Sequence, residues 1–133
     1  MILAASRPIA FVPTQKPEAA RAFYESKLGL THESDDEFAV VFRIGHAPGT
    51  MLRLVRTARF TPADYTIFGW QVPDLDLALD ELIGKGIVFV QYEYLHQDRR
   101  GVWEAPGGVR IAWFKDPDGN TLSISQHTAL REV

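Results

Sequence analysis

Cysteine is absent from all 133 residues. That excludes disulfides, thiolate metal ligands and a cysteine nucleophile, and it suits a reducing cytoplasm. No stretch approaches the roughly 18 consecutive apolar residues that a membrane-spanning helix needs. The apolar residues 1–5 lack a basic leader and stop at Arg7-Pro8, so neither a secretion signal nor a membrane anchor is expected. An excess of one charge is also missing. A formal charge of −3 and a pI near 5.8 give no electrostatic reason to grip a nucleic-acid backbone. There is no serine-centred nucleophile elbow, phosphate-binding glycine loop or dinucleotide fingerprint. Histidine is sparse: His32, His46, His96 and His127 lie far apart and show no ligand-pair spacing, as ordinary surface histidines would.

What is present describes a soluble globular chain of single-domain length, 46% hydrophobic and 23% charged. Residues 8–14 (PIAFVPT) read as a strand, and Pro17 suits the first turn of a helix over 17–28 whose apolar face carries Ala20, Phe23, Tyr24 and Leu28. Gly29 ends it. Extended segments at 30–34, 38–44 and 51–56 follow, separated by turn residues. The order then repeats. A strand over 65–72 leads to Asp74, which suits the cap of a helix bearing Leu75, Leu79, Leu82 and Ile83, closed by Gly84 and Gly86. Strands over 87–94, 109–114 and 120–126 complete the second half, with a long loop at 95–108. The sequence predicts an α+β fold of two βαβββ modules, about 7–57 and 64–127, within one domain.

Two motifs carry a resemblance. The segment ARAFYESKLGL (20–30) is similar to the helix-to-strand signature of the vicinal oxygen chelate superfamily, which holds glyoxalases, bleomycin-resistance proteins and extradiol dioxygenases. WFKDPDGNTLSISQ (113–126) resembles that superfamily's closing hairpin, and QVPDLDLAL (71–79) opens the second module between them. The resemblance implies two modules curling into a cupped, open mixed β-barrel with helices packed outside, and assembly as a homodimer.

In metal-using members of the superfamily, four inward side chains hold one divalent ion. The matching positions here are Ile9, Arg53, Ile67 and Ser123. Isoleucine has no lone pair to donate, arginine would repel the ion, and a serine hydroxyl is a weak neutral ligand. The neighbours Pro8, Ala10, Thr66, Phe68, Leu122 and Ile124 add no histidine or carboxylate. No metal or other cofactor is therefore expected.

Strand alternation assigns the remaining lining. Ile9, Phe11 and Pro13 share one face, as do Met51, Arg53 and Val55; Tyr65, Ile67, Gly69 and Gln71; and Thr121, Ser123 and Ser125. Their alternates are apolar and belong under the helices. From these, Ile9, Phe11, Arg53, Ile67, Gly69, Ser123 and Ser125, with Trp103 from the long loop, are the candidate ligand-binding residues. Arg53 either faces the cup or pairs with a nearby glutamate or reaches solvent; Trp113 is a further wall candidate; which faces of 87–94 and 109–114 line the pocket stays open. The expected function is metal-independent binding of a small, partly aromatic or amphipathic molecule, sequestering a drug or metabolite. The alternative is a lyase, isomerase or dioxygenase with a non-standard site using Glu93, Glu104, Tyr65 or His96. A structural interaction module is a third class.

Overall fold

The computed structural model describes residues 1–127, and the chain divides into two compact units, 1–61 and 62 onward. In the first unit a mixed four-stranded sheet has the order β1-β4-β3-β2, from β1 (Ile9–Thr14), β2 (Thr31–Asp35), β3 (Ala39–Ile44) and β4 (Thr50–Arg56). β1 runs parallel to β4, and the other neighbours are antiparallel. Helix α1 (Pro17–Ala22) starts with Pro17, and the Thr14 hydroxyl accepts from the Lys16 amide just ahead of it. The expected continuation to residue 28 is a π-helical turn, Phe23–Lys27, in which Leu28 N donates to Phe23 O. The wider turn leaves Glu25, Ser26 and Lys27 in solvent while sealing Tyr24 against Phe42, with ring centroids 6.1 Å apart. Val12, Leu52, Leu54, Val40 and Phe42 complete this core.

The second unit repeats the sheet, ordered β5-β8-β7-β6, from β5 (Phe68–Gln71), β6 (Trp103–Glu104), β7 (Arg110–Lys115) and β8 (Thr121–Gln126). Helix α2 (Leu75–Gly84) is capped by Asp74, whose carboxylate accepts from Leu77 N at 3.1 Å. Leu75 N donates to Gln126 Oε1 at 2.8 Å, tying the helix start to β8, and Leu75 and Leu79 are fully buried. Neither sheet closes on itself, so each half is an α+β layer of one helix on one mixed sheet. Among the described residues no helix is long and apolar enough to cross a membrane.

One expected element does not form. Residues 87–94 are not a strand; the sheet's last strand is the two-residue β6, further along the chain. The run IVFVQYEY has strand-like composition, and Ile87 and Phe89 are buried, yet only Val90 N reaches the sheet, donating to Trp113 O. Tyr92 N and Val90 O are bonded by the Gln97 side chain, and Ile87 N and Tyr92 O bond to backbone outside the sheet. Short-range pattern fixes which residues are buried here and leaves the hydrogen-bond partners open.

The closing turn of β7 and β8 is held by Asp116, only 5% exposed. Its Oδ1 accepts from Asp118 N (2.9 Å) and Asn120 N (3.0 Å), and its Oδ2 from Asn120 Nδ2 (2.9 Å). Gly119 sits at φ +86°, and a side chain there would also press on Pro62. Replacing Asp116 by alanine leaves three donors without their acceptor. Asp116→Ala is expected to destabilise by about 2–3 kcal/mol, read as a lower denaturation midpoint with unchanged slope.

Candidate functional site

Period-two alternation gives each sheet a face under its helix and a face turned away from it. In the first unit the outward rows, read across paired strands, are Arg43–Met51–Ile9, Val41–Arg53–Phe11 and Ala39–Val55–Pro13. Ile9 is 48% exposed, Phe11 61% and Met51 40%, an uncovered apolar patch. Arg53 lies on this face between Phe11 and Val41, and its Nη2 stands 3.4 Å from Asp36 Oδ2. The partner is an aspartate in the β2–β3 turn, not the expected glutamate. Amides of Phe38 and Ala39 donate to Asp36 Oδ1, and with Arg53 they hold its carboxyl below the usual aspartate value.

In the second unit the outward rows are Trp113–Ser123–Gly69 and Ile111–Ser125–Gln71, with Lys115 opposite Thr121 and Trp103 opposite Ile111. Four of the predicted residues, Gly69, Ser123, Ser125 and Trp103, therefore share one face. Ile67 sits at its edge, donating its amide to Thr121 O. A Cβ at position 69 would run into the Ser123 Oγ, so glycine lets that hydroxyl lean over β5. Ser125 Oγ lies 3.1 Å from His127 Nε2.

The structure adds what alternation alone left open. Trp113 stands at the centre of an aromatic cluster on this face. Tyr92 meets it edge-on at 5.5 Å, Trp103 lies at 6.3 Å with an interplanar angle of 31°, and Tyr94 is 5.5 Å from Tyr92. The Trp113 indole N–H donates to Thr66 Oγ1 at 3.0 Å, fixing the ring's orientation. Burial, helped by Tyr94 and Asp64, raises the Tyr92 phenol above its usual value. The position of Trp113 was accessible from its register count back from the DPDG turn. Tyr92 had no such signal, because it hangs from a segment without a ladder.

Two of the four acid–base candidates come together: His96 and Glu104 line one cleft of about 340 Å³ with Asp98 and Arg110. Glu104 pairs with Arg110 in register, on the helix side, where Arg110 reaches Asp76. Tyr65, Glu93 and His96 are exposed. Among the described residues no group of three or more His, Asp or Glu side chains is spaced to hold a metal ion. A cleft of about 680 Å³ lies on the other side of the first unit, lined by Lys16, Glu18, Arg21, Asp35 and Arg56 among others. Part of its charge is already engaged: Arg21 pairs with Glu25 and Asp35, and Asp35 bonds His32. Its lining holds no aromatic side chain, so for a flat ligand the aromatic face is the stronger candidate.

The segment carrying Trp103 is clamped to α2 from behind. Asp76 accepts from Arg100 at 2.5 Å and from Arg110 at 3.2 Å, and Arg100 also approaches Asp80 at 3.6 Å. Hydrogen bonds from Arg110 and Arg100 lower the Asp76 carboxyl below its usual value.

No family model and no curated protein matches the sequence. Solved structures do match the fold. A glyoxalase/bleomycin resistance protein/dioxygenase from Alicyclobacillus acidocaldarius superposes with a TM-score of 0.72 at 19% identity, over 96% of this chain and 95% of that one. A member of the same superfamily from Sphaerobacter thermophilus DSM 20745 gives 0.71 at 23% identity, over 92% and 98%. TnmS3, an antibiotic binding protein from Streptomyces sp. CB03234, gives 0.67 at 22% identity, over 93% and 97%. The chain has the glyoxalase/bleomycin resistance/dioxygenase fold.

A carboxyl depressed on folding stabilises above its unfolded pKa and loses that contribution as pH falls through the folded one. Asp76→Asn is therefore expected to melt below the wild type at neutral pH, with the gap closing as pH drops below the usual carboxylate range. Parallel thermal melts across pH check this; a gap that persists in acid contradicts it.

Proposed function

We propose that this protein binds a small, partly aromatic or amphipathic molecule without a metal, and holds it without transforming it. The carrying observation is the cluster of Trp113, Tyr92, Trp103 and Tyr94 beside the hydroxyl-lined row of Ser123 and Gly69. Aromatic walls with a few polar groups are the usual chemistry of small-molecule sites, because flat rings gain contact area and quadrupole attraction at little entropic cost. Lys115 adds a positive charge next to this row, favouring neutral or anionic ligands. On this face the proposed contacts are Ile67, Gly69, Trp103, Ser123 and Ser125, with Trp113 and Tyr92 added. On the first unit's face they are Ile9, Phe11 and Arg53. TnmS3, an antibiotic binding protein with the same fold, supports a binding role.

The reading includes a homodimer. The exposed Ile9, Phe11 and Met51 form an apolar patch whose burial against a second copy would be favourable. It also includes a cytoplasmic setting, which the cysteine-free composition suits.

Protein purified without chelators is expected to contain no stoichiometric divalent metal and to bind flat aromatic probes such as 1-naphthol, quenching tryptophan fluorescence and raising the melting temperature. Saturated analogues of the same size should bind more weakly, and Trp113→Leu should weaken 1-naphthol about tenfold, or ~1.4 kcal/mol. A tightly bound zinc, nickel, manganese or iron ion, or equal binding of flat and saturated probes, overturns the reading. For assembly, sedimentation should show a dimer that Phe11→Glu converts to monomer; a wild-type monomer sinks that part.

A further inference from the structure

Residues 87–104 carry two of the three central rings of the proposed site, Tyr92 and Trp103, yet their ladder is only the two pairs of β6 with β7. One side chain takes the ladder's place. Gln97 Oε1 accepts from Tyr92 N at 2.6 Å, while its Nε2 donates to Val90 O at 2.8 Å and to Gly101 O at 2.7 Å. The orientation of the amide is determined by these partners, since an N–H must meet the oxygen and two carbonyls must meet the nitrogen. Gln97 also forms an isolated backbone bridge with Trp103. A single half-buried amide thus joins the backbone under Tyr92 to the chain that delivers Trp103. Gly101, at φ +98°, lets that chain approach Phe89, where an added Cβ would stand 3.0 Å from the Phe89 Cβ.

Trp113 itself is held independently, on β7 and by Thr66. The Gln97 amide takes the hydrogen bond of the Tyr92 N–H directly, and it holds the Gly101 carbonyl at the entry to Trp103, which also pairs with Ile111 of β7. We infer that Gln97 is a positioning residue for ligand selection: its amide sets where Tyr92 and Trp103 stand relative to Trp113, and so sets the shape of the aromatic wall. The inference rests on the proposed binding role for its consequence in ligand choice, but its physical content concerns the rings alone.

The neighbouring Gln91 provides an internal comparison. Its Nε2 donates to Asp98 O and Arg99 O, so it braces the same segment without touching the backbone of Tyr92 or Gly101. Trp70 provides a second comparison, because it stacks on Phe114 in the core, 6.5 Å away at 18°, and does not contact this cluster.

The test is fluorine NMR of protein labelled with 5-fluorotryptophan, whose three signals report Trp70, Trp103 and Trp113 separately. In Gln97→Met, which keeps length but removes all three hydrogen bonds, the Trp103 and Trp113 signals should shift or broaden while Trp70 stays in place. Gln97→Glu, which keeps the acceptor and loses both donors, should do the same to a smaller extent. Gln91→Met should leave all three signals unchanged. Signals that stay put in both Gln97 variants, or that move equally in the Gln91 variant, overturn the inference. Should the Gln97 variants fail to fold, the unmodified protein decides: the Gln97 side-chain N–H protons should exchange with water far more slowly than those of an exposed glutamine, and exchange at the exposed rate overturns the assignment. Affinity for 1-naphthol should fall at least about threefold in Gln97→Met, in line with the loss of one aromatic contact. If the wild type binds no flat aromatic probe, the binding role fails while the fluorine signals still decide what Gln97 does.

Discussion

Each sheet can be covered by its own helix on one side only, and the rest of the structure depends on that constraint. Side chains alternate across a strand, so the face under the helix must be apolar at every second position, while the other face is released from that demand. Val12, Leu52, Leu54 and Phe42 meet the demand in the first unit, and Ala112, Phe114, Leu122 and Ile124 meet it in the second. The released positions hold a different mixture: isoleucine, phenylalanine, methionine and arginine on one sheet, glycine, serine, lysine and tryptophan on the other. A slip of one residue in any strand would exchange the two sets, which is why register and candidate function are inseparable here.

The two units solve the problem of unladdered backbone with charged or amide side chains. Asp36 gathers the Phe38 and Ala39 amides and draws Arg53 towards the outward face. In the second unit the work is divided. Asp98 accepts from Arg100 N and Val102 N, Gln97 joins the two chain segments, and Asp76 holds Arg100 and Arg110 from the helix side. These polar ties are individually modest, but a partly buried backbone group left without a partner is expensive. They explain how a segment with strand-like composition becomes an ordered non-strand carrying an aromatic cluster.

The absence of electron donors at Ile9, Arg53, Ile67 and Ser123 shifts the chemistry of the outward faces from coordination to contact. Under the proposed binding role, recognition would come from ring faces, hydroxyls, Lys115 and Arg53, and would favour flat ligands. Of the acid–base candidates, Tyr65 and Glu93 are exposed, while His96 and Glu104 border one cleft with Arg110.

The amino-acid sequence by itself determined the repeated order of strands and helices, the capping of α2 by Asp74, the closing turn around Asp116, and the pairs of faces on β1, β4, β5 and β8. Those features rest on period, turn chemistry and capping, which act over a few residues. The tertiary structure decided the rest: that the last strand of the second sheet is Trp103–Glu104 and not 87–94, that Tyr92 joins Trp103 at Trp113, and that Arg53 meets Asp36. Each of those outcomes depends on which distant group satisfies a donor or an acceptor. Hydrogen-bond partners chosen across the fold leave no trace in the local pattern of apolar and polar residues.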